Sequence, residues 1–165
     1  MKAHYLFRLL CLVLPLGCST PASKETEKEG PIAQSRNDLP EMTVITSAHS
    51  NIDLHTLKGN TILVLFQPDC DHCQREALEI RKHLDKSDQY VIYFISAAEM
   101  NSIEAFGKSY DLLGHSNVNF GSTTVENVLR SFGPIPAPSV YIYTDQKLRK
   151  KFNGETNIES ILQAI

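Results

Sequence analysis

The apolar residues between positions 41 and 165 fall into two kinds of segment: short runs typical of β-strands and longer segments with helical spacing. The predicted strands are 42–46, 51–54, 61–66, 90–96, 117–120, 138–144 and 148–153. The runs at 61–66 and 90–96 are nearly continuous, as expected of strands buried on both faces of a sheet. A turn at Asp145-Gln146 predicts that the last two strands form a hairpin.

Helices are predicted between and after these strands, at 71–86, 99–113, 123–132 and 157–165. Gly114 is the expected stop of the second helix. The buried face of the first helix is predicted to carry Cys73, Ala77, Ile80 and Leu84. Its solvated face is predicted to carry Arg75, Glu76, Glu79, Arg81, Lys82 and Asp85. Strands alternating with helices predict an α/β fold, a three-layer α/β/α sandwich around a central mixed β-sheet.

The N-terminus has the pattern of an export signal. Lys2 and Arg8 accompany an apolar stretch at 9–16 that is shorter than the roughly 20 residues a spanning helix needs. Cys18 follows directly after Gly17, and this resembles the lipobox of bacterial lipoproteins, whose cysteine is lipidated and becomes the new N-terminus. Pro15 departs from that pattern, because the family usually has Leu there. The alternative is an ordinary signal peptide or an uncleaved anchor, with Cys18 incidental.

These features divide the chain into a signal peptide (1–17), a lipidated N-terminus with a flexible linker (18–40) and one domain (41–165). Lipidation would anchor the domain to a membrane surface outside the cytoplasm, in the bacterial periplasm. Disulfides persist in such a compartment, and only Cys70 and Cys73 remain there to form one. A net charge of -3 provides no basic surface, so no nucleic-acid partner is expected.

The segment VLFQPDCDHCQREA, residues 64–77, carries the candidate chemistry. Cys70 lies between a buried strand and the helix that follows, where free backbone N–H groups and the helix dipole stabilise a thiolate. Cys73 is one helical turn further on and within reach of a disulfide. We therefore expect Cys70 to attack a partner disulfide and Cys73 to resolve the mixed disulfide.

Asp71 and His72 lie between the cysteines and are expected to tune the pair. A protonated or hydrogen-bonding His72 would favour the Cys70 thiolate and a more oxidising disulfide. A carboxylate at Asp71 would disfavour the Cys70 thiolate, unless Asp71 caps the helix or points to solvent. The sequence leaves the balance open.

The chain resembles the thioredoxin-fold redoxins in three features. These are the segment at 64–77 with its two cysteines, the loop FGPIPAPSVYIYTDQKLRKKFNG and the order of strands and helices. The nearest type is the membrane-anchored extracytoplasmic thiol–disulfide oxidoreductases of the TlpA/ResA type. The resemblance implies a cis peptide bond at Pro138, facing the cysteines, and substrate hydrogen bonds to the backbone of Ala137. Pro136 is the weaker candidate for the cis bond. Val64 replaces the buried Asp that many thioredoxins use to move a proton, so water or another acid, such as Glu76 or Glu79, would take its place.

The resemblance implies that the protein reduces client disulfides, for example in cytochrome c maturation, and is recharged by a membrane electron donor. No cofactor beyond the dithiol is expected. His72 keeps an oxidase or isomerase direction open.

Four other functions fit the residues of this chain less well. A copper-binding metallochaperone of the same fold would use the cysteines with a distant His such as His115, but usually has three residues between its cysteines. A zinc site lacks a second ligand pair and would need His72 with His83 or His115 to converge on the cysteines. A peroxiredoxin needs Thr or Ser where Gln67 stands. A purely structural C-x-x-C disulfide would close too short a loop to stabilise the domain much.

Overall fold

The computed structural model describes residues 37–165, which form a seven-stranded mixed β-sheet with helices on both faces. The strands are β1 Thr43–Thr46, β2 Asn51–Asp53, β3 Thr61–Leu65, β4 Val91–Ser96, β5 Val118–Ser122, β6 Ser139–Thr144 and β7 Lys147–Asn153. The helices are α1 Asp71–Lys82, α2 Met100–Ser109, α3 Val125–Phe132 and α4 Ile158–Leu162. The predicted signal peptide, Cys18 and most of the predicted linker lie outside the described residues.

The strands are arranged in the order β2-β1-β5-β4-β3-β6-β7. The neighbours β3, β4 and β5 are parallel, and every other pair is antiparallel. All five residues of β3 are buried, with Ile62 and Val64 on one face of the sheet and Leu63 and Leu65 on the other. The prediction of a strand buried on both faces is therefore confirmed.

Each face of the sheet has its own hydrophobic core. Helices α1, α2 and α4 contribute buried apolar residues to the core on the Ile62 face. On the Leu63 face, Val128 and Phe132 of α3 pack against a second core, together with the segment before β1. The fold is a thioredoxin-like three-layer α/β/α sandwich, as predicted.

Three helices end earlier than the apolar spacing predicts, and one of them is α4, which ends at Leu162 rather than 165. Helix α1 ends at Lys82 rather than 86, because His83 leaves the helical conformation and residues 84–87 continue as a 3₁₀ turn. Helix α2 ends at Ser109 rather than 113. The amides of Leu112 and Leu113 bond back to the carbonyl of Gly107, so the chain turns well before Gly114.

The folded domain begins before the predicted boundary at residue 41. Leu39 is buried in the second core, and the amide of Asp38 donates to the carbonyl of Gln146 at 2.8 Å. No helix within residues 37–165 is long and apolar enough to cross a membrane.

The sheet places two distant segments side by side. Strands β3 and β6 are antiparallel, and Leu65 at the end of β3 pairs with Ser139 at the start of β6. The turn that leads from β3 into α1 therefore meets the loop that leads into β6. Both cysteines and both candidate substrate-binding residues lie at this junction.

Candidate active site

Cys70 is the N-cap of α1, and its Sγ accepts a hydrogen bond from the backbone N–H of Cys73 at 3.3 Å. The side chain is partly exposed. An N-cap atom faces the free amides of the first helical turn and the positive end of the helix dipole, which favour negative charge there. The predicted position of Cys70 at the start of the helix is confirmed.

Cys73 lies one turn into α1 and is only 2% exposed. Burial raises the pKa of its thiol to about 12, and the hydrogen bond with Cys70 and the nearby charge of Glu76 raise the pKa as well. Both cysteines are in the free thiol form. The pair therefore consists of an outer thiol open to partners and an inner thiol that keeps its proton.

The loop before β6 faces the cysteines from the other side. The peptide bond between Ala137 and Pro138 is cis, as predicted, and Pro136 is not the cis residue. The carbonyl oxygen of Ala137 accepts a hydrogen bond from the Cys70 thiol, with sulfur and oxygen 3.6 Å apart. Ala137 therefore touches the reactive sulfur.

Glu76 is buried, which corrects the prediction that it belongs to the solvated face of α1. Only 3% of its surface is exposed, because the segment between β7 and α4 covers this part of the helix. The amide of Thr156 donates to Oε1 at 3.1 Å, whereas Oε2 has no hydrogen-bond partner among residues 37–165. Burial raises the pKa of this carboxyl to about 7, and the charge of Glu155 adds to the rise.

The two other positions considered for proton transfer differ from Glu76. Val64 is buried in the same core as Cys73 and carries no polar atom on its side chain. Glu79 is ion-paired with Lys82 at 2.7 Å in a partly exposed position, as expected for the solvated face. Of the two acids suggested by the sequence, only Glu76 lies inside the domain beside the inner thiol.

A cluster of charged side chains covers the outer edge of the cysteine pair. Glu155, between β7 and α4, accepts from Arg75 through Oε1 at 2.8 Å and through Oε2 at 2.6 Å. Nδ1 of His72 lies 2.5 Å from the same Oε2 atom. The bonds from Arg75 and His72 lower the pKa of Glu155 to about 2, so the carboxylate stays ionised. Asp71 is exposed in the first turn of α1.

An open, largely apolar groove of about 460 Å³ adjoins this site. One wall is the loop that includes Ala137, and another is helix α3, in which no residue is fully buried. Val125 and Leu129 of α3 line the groove and are 61% and 51% exposed. Ala137 lines the groove and also contacts Cys70, so the groove lies next to this cysteine.

The histidines considered as metal ligands have local partners. Nδ1 of His83 contacts the carbonyl of Glu79 at 2.9 Å, and Nε2 of His115 contacts the carbonyl of Asp111 at 3.0 Å. Within residues 37–165 no group of three or more His, Cys, Asp or Glu side chains is arranged to hold a metal ion.

The family model "AhpC/TSA family" matches residues 36–151. The chain belongs to the AhpC/TSA family. Its match covers β1 through most of β7, and so includes both cysteines and Pro138. No curated protein sequence matches the chain significantly.

Solved structures with the fold of this AhpC/TSA member share few of its residues. A secreted Mycobacterium tuberculosis disulfide oxidoreductase homologous to E. coli DsbE is 15% identical, with a TM-score of 0.64 over 75% of this chain and 93% of that one. Arabidopsis thaliana ScoI with copper bound is 16% identical, with a TM-score of 0.60 over 74% and 91%. A cysteine-to-serine mutant of Xanthomonas campestris peroxiredoxin Q is 14% identical, with a TM-score of 0.61 over 76% and 90%. These neighbours establish the fold, so the function has to be argued from the site itself.

Three features of the site do not follow from the sequence pattern. Glu155 stands in the segment between β7 and α4, and only the tertiary fold brings it to Arg75 and His72. The exposed apolar face of α3 has the sequence pattern of an ordinary amphipathic helix. Glu76 lies three residues after Cys73 and four before Ile80, at the edge of the buried face of α1, but the sequence does not show that α4 and its preceding segment would cover that edge.

Proposed function

We propose that this chain is a thiol–disulfide oxidoreductase that reduces disulfides of client proteins, with Cys70 as nucleophile and Cys73 as resolving thiol. The observation that carries the proposal is the arrangement of the two sulfurs. Cys70 is partly exposed at the N-terminus of α1 and touches Ala137, whereas Cys73 is buried one turn behind it. Membership of the AhpC/TSA family agrees with chemistry at a reactive cysteine.

The reaction proceeds in two exchanges. The Cys70 thiolate attacks one sulfur of the client disulfide, forms a mixed disulfide and releases the other client sulfur as a thiolate that takes up a proton. Cys73 then loses its proton and attacks Cys70, which forms the Cys70–Cys73 disulfide and releases the second client thiol. Two electrons pass from the dithiol to the client, and the same steps in reverse would oxidise a client dithiol.

Glu76 accepts the proton that Cys73 has to lose. With a pKa of about 12, the inner thiol is a poor nucleophile until a base takes its proton. Glu76 is buried three residues further along α1, its charge acts on Cys73, and its own pKa of about 7 suits a base at neutral pH. Its Oε2 atom has no hydrogen-bond partner within residues 37–165 and is proposed to take up this proton. Glu76 thus takes the proton-transfer role that many thioredoxins give to a buried Asp at the position of Val64.

The groove beside Ala137 binds the client segment that flanks the attacked cysteine. The backbone of Ala137, next to Pro138, is available to hydrogen-bond an extended client chain. Val125 and Leu129 offer exposed apolar surface along the same groove. A client segment with an apolar side chain close to its cysteine would bury that surface, which favours binding.

We further propose where the protein works and what recharges it. The export signal and Cys18 support a lipid-anchored protein in the bacterial periplasm, at a membrane surface. A membrane electron donor would return the Cys70–Cys73 disulfide to the dithiol, and Asp71 and His72 would tune the potential at which this happens. Apart from its dithiol, the mechanism uses no cofactor.

Two rival functions find less support at this site. Gln67 occupies the peroxiredoxin Thr or Ser position, and its side chain accepts a hydrogen bond from Ser96 at 3.4 Å. For copper delivery, the cysteines would need a third ligand, and His115 is engaged with the carbonyl of Asp111. An oxidase or isomerase would use the same residues, and a measured reduction potential separates it from a reductase.

A Cys73→Ala variant tests the proposal. Expressed in its native host, it is expected to accumulate mixed disulfides between Cys70 and client proteins, which mass spectrometry would identify. The matched control, Cys70→Ala, should accumulate none, and the purified wild-type protein should reduce a protein disulfide. Absence of both client adducts and disulfide reduction would overturn the proposed function. Stoichiometric copper bound to the reduced protein would favour the copper-binding rival instead.

A further inference from the structure

The three-residue segment 154–156 contacts the loop before β6, the buried Glu76 and the charged cluster at the start of α1. Between β7 and α4, the amide of Gly154 donates to the carbonyl of Pro138 at 2.8 Å, and the amide of Thr156 donates to Glu76 at 3.1 Å. The residue between them, Glu155, reaches outward to His72 and Arg75. Backbone bonds on both sides therefore hold Glu155 in place at the outer edge of the cysteine pair.

The Glu155 carboxylate holds together two side chains that would otherwise repel each other. A terminal nitrogen of Arg75 lies 2.7 Å from Nδ1 of His72. Because an ionised carboxylate only accepts hydrogen bonds, Nδ1 of His72 carries the proton that faces Oε2 of Glu155. The guanidinium and the imidazole are thus two donors that share one oxygen atom, and their close approach depends on the negative charge between them.

The charge of this cluster reaches the reactive sulfur. Cys70 is the N-cap of α1, and His72 and Arg75 lie in the first turns of the same helix, so their charge is close to the Cys70 sulfur. The hydrogen bond with Glu155 is the main cause that raises the pKa of Arg75, and the charge of Cys70 adds a smaller part. An uncompensated Arg75 would therefore stabilise the thiolate, and with it the reduced form of the pair. Glu155 cancels most of this charge through its two hydrogen bonds to Arg75.

We propose that Glu155 is a positioning residue that neutralises Arg75, holds the His72 ring and so makes the Cys70–Cys73 dithiol a stronger reductant. This inference rests on the proposed thiol–disulfide exchange and names the group that sets its direction. Without this carboxylate, a CxxC pair with His in its third position would be a weaker reductant. In this chain Glu155 makes the dithiol more reducing.

The test is the equilibrium in which the protein disulfide and two glutathione molecules give the protein dithiol and one glutathione disulfide. Glu155→Gln keeps an oxygen that can accept from Arg75 and His72 but removes the charge. It is expected to shift this equilibrium toward the protein dithiol by about threefold to tenfold, where tenfold equals about 30 mV. The shift should shrink between 0.1 M and 1 M salt, because salt screens exposed charges.

Arg75→Gln provides a second variant that acts in the opposite direction. It leaves the Glu155 charge uncompensated, so the equilibrium should move toward the protein disulfide. The double variant should lie close to the wild type, since the two residues act through one charge pair. Glu159→Gln is the matched control: it removes an equal charge four residues away, from an exposed side chain that bonds to neither His72 nor Arg75.

The outcomes separate this inference from the proposed function. If the wild-type protein reaches no dithiol–disulfide equilibrium with glutathione, the proposed function fails. If the wild type equilibrates but Glu155→Gln has the same constant, or Glu159→Gln shifts it equally, Glu155 is not the residue that sets the potential. Thermal unfolding of each variant would confirm that the changes are measured on folded protein.

Discussion

Two glutamates lie near the cysteine pair: Glu76 is hydrogen-bonded to the segment between β7 and α4, and Glu155 is part of that segment. Glu76 is buried beside Cys73 and bonded to the amide of Thr156, and its pKa is raised to about 7. Glu155 lies on the surface beside His72 and Arg75, and its pKa is lowered to about 2. Burial without a counter-charge raises the first value, and the hydrogen bonds from Arg75 and His72 lower the second.

The difference assigns separate tasks to the inner and outer halves of the site. The inner half, Cys73 and Glu76, is buried, and we propose that a proton passes from Cys73 to Glu76 there. The outer half, Cys70 with His72, Arg75 and Glu155, is the part that we propose contacts the client and sets the charge around the attacking sulfur. We expect changes in the inner half to affect the second exchange, and changes in the outer half to affect the potential and client binding.

The largest effect is expected from Glu76→Gln. Because the amide cannot accept the Cys73 proton, release of the client from its mixed disulfide with Cys70 should slow about 100-fold. The first exchange at Cys70 should keep its wild-type rate. Rapid-mixing measurements that follow the two client thiols separately would distinguish the steps. Glu79→Gln, on the solvated face of the same helix, is the matched control. If the second exchange has the same rate in the wild type and in both variants, Glu76 does not take part in the mechanism.

The second prediction concerns stability and pH. The folded protein holds the Glu76 proton more tightly than the unfolded chain does, since its pKa is about 7 in place of 4.5. The contribution of Glu76 to the free energy of unfolding should therefore be highest below pH 4.5, fall as the pH rises toward 7 and stay level above it. The loss is about 3 kcal/mol over this range. Denaturant unfolding from pH 4 to 8 would measure it, and an equal slope in Glu76→Gln would contradict it.

A smaller effect is expected in the groove of the outer half. Replacing both Val125 and Leu129 with Ser should lower kcat/KM for a protein disulfide about fivefold to tenfold, because the client would bury less apolar surface. Reduction of glutathione disulfide, which is too small to fill the groove, should be unchanged. Leu148→Ser is the control, since Leu148 is also exposed, at 41%, but lies on β7 outside the groove. An equal loss in the control, or for both substrates, would rule out a client-binding groove.

The sequence predicted the framework of the site because local patterns determine it. The apolar run 61–66, the helix after Cys70 and the strand after Pro138 are each visible in a short window. Their order then implies an α/β sandwich in which the first two meet the third. The cis bond at Pro138 and the N-cap position of Cys70 are confirmed in the structure.

The division into inner and outer halves could not be predicted, because it depends on contacts across about 80 residues. Thr156 bonds to Glu76 and Glu155 bonds to Arg75 over that separation. Glu76 follows Arg75 in the sequence and lies three residues after Cys73, at the edge of the buried face of α1. Helix α4 and the segment before it cover Glu76 and leave Arg75 exposed. Helix periodicity describes one helix and cannot show what packs against it.

The most direct test of this division is the order in which the two thiols react. The fully reduced wild-type protein would be treated with iodoacetamide at pH 7, and each cysteine's modification followed over time by mass spectrometry of its peptide. Cys70 should be alkylated first, while Cys73, buried and with its pKa raised to about 12, stays unmodified as long as the protein is folded. Alkylation of Cys73 as fast as Cys70 in the folded protein would contradict the division into an attacking outer thiol and a protected inner one.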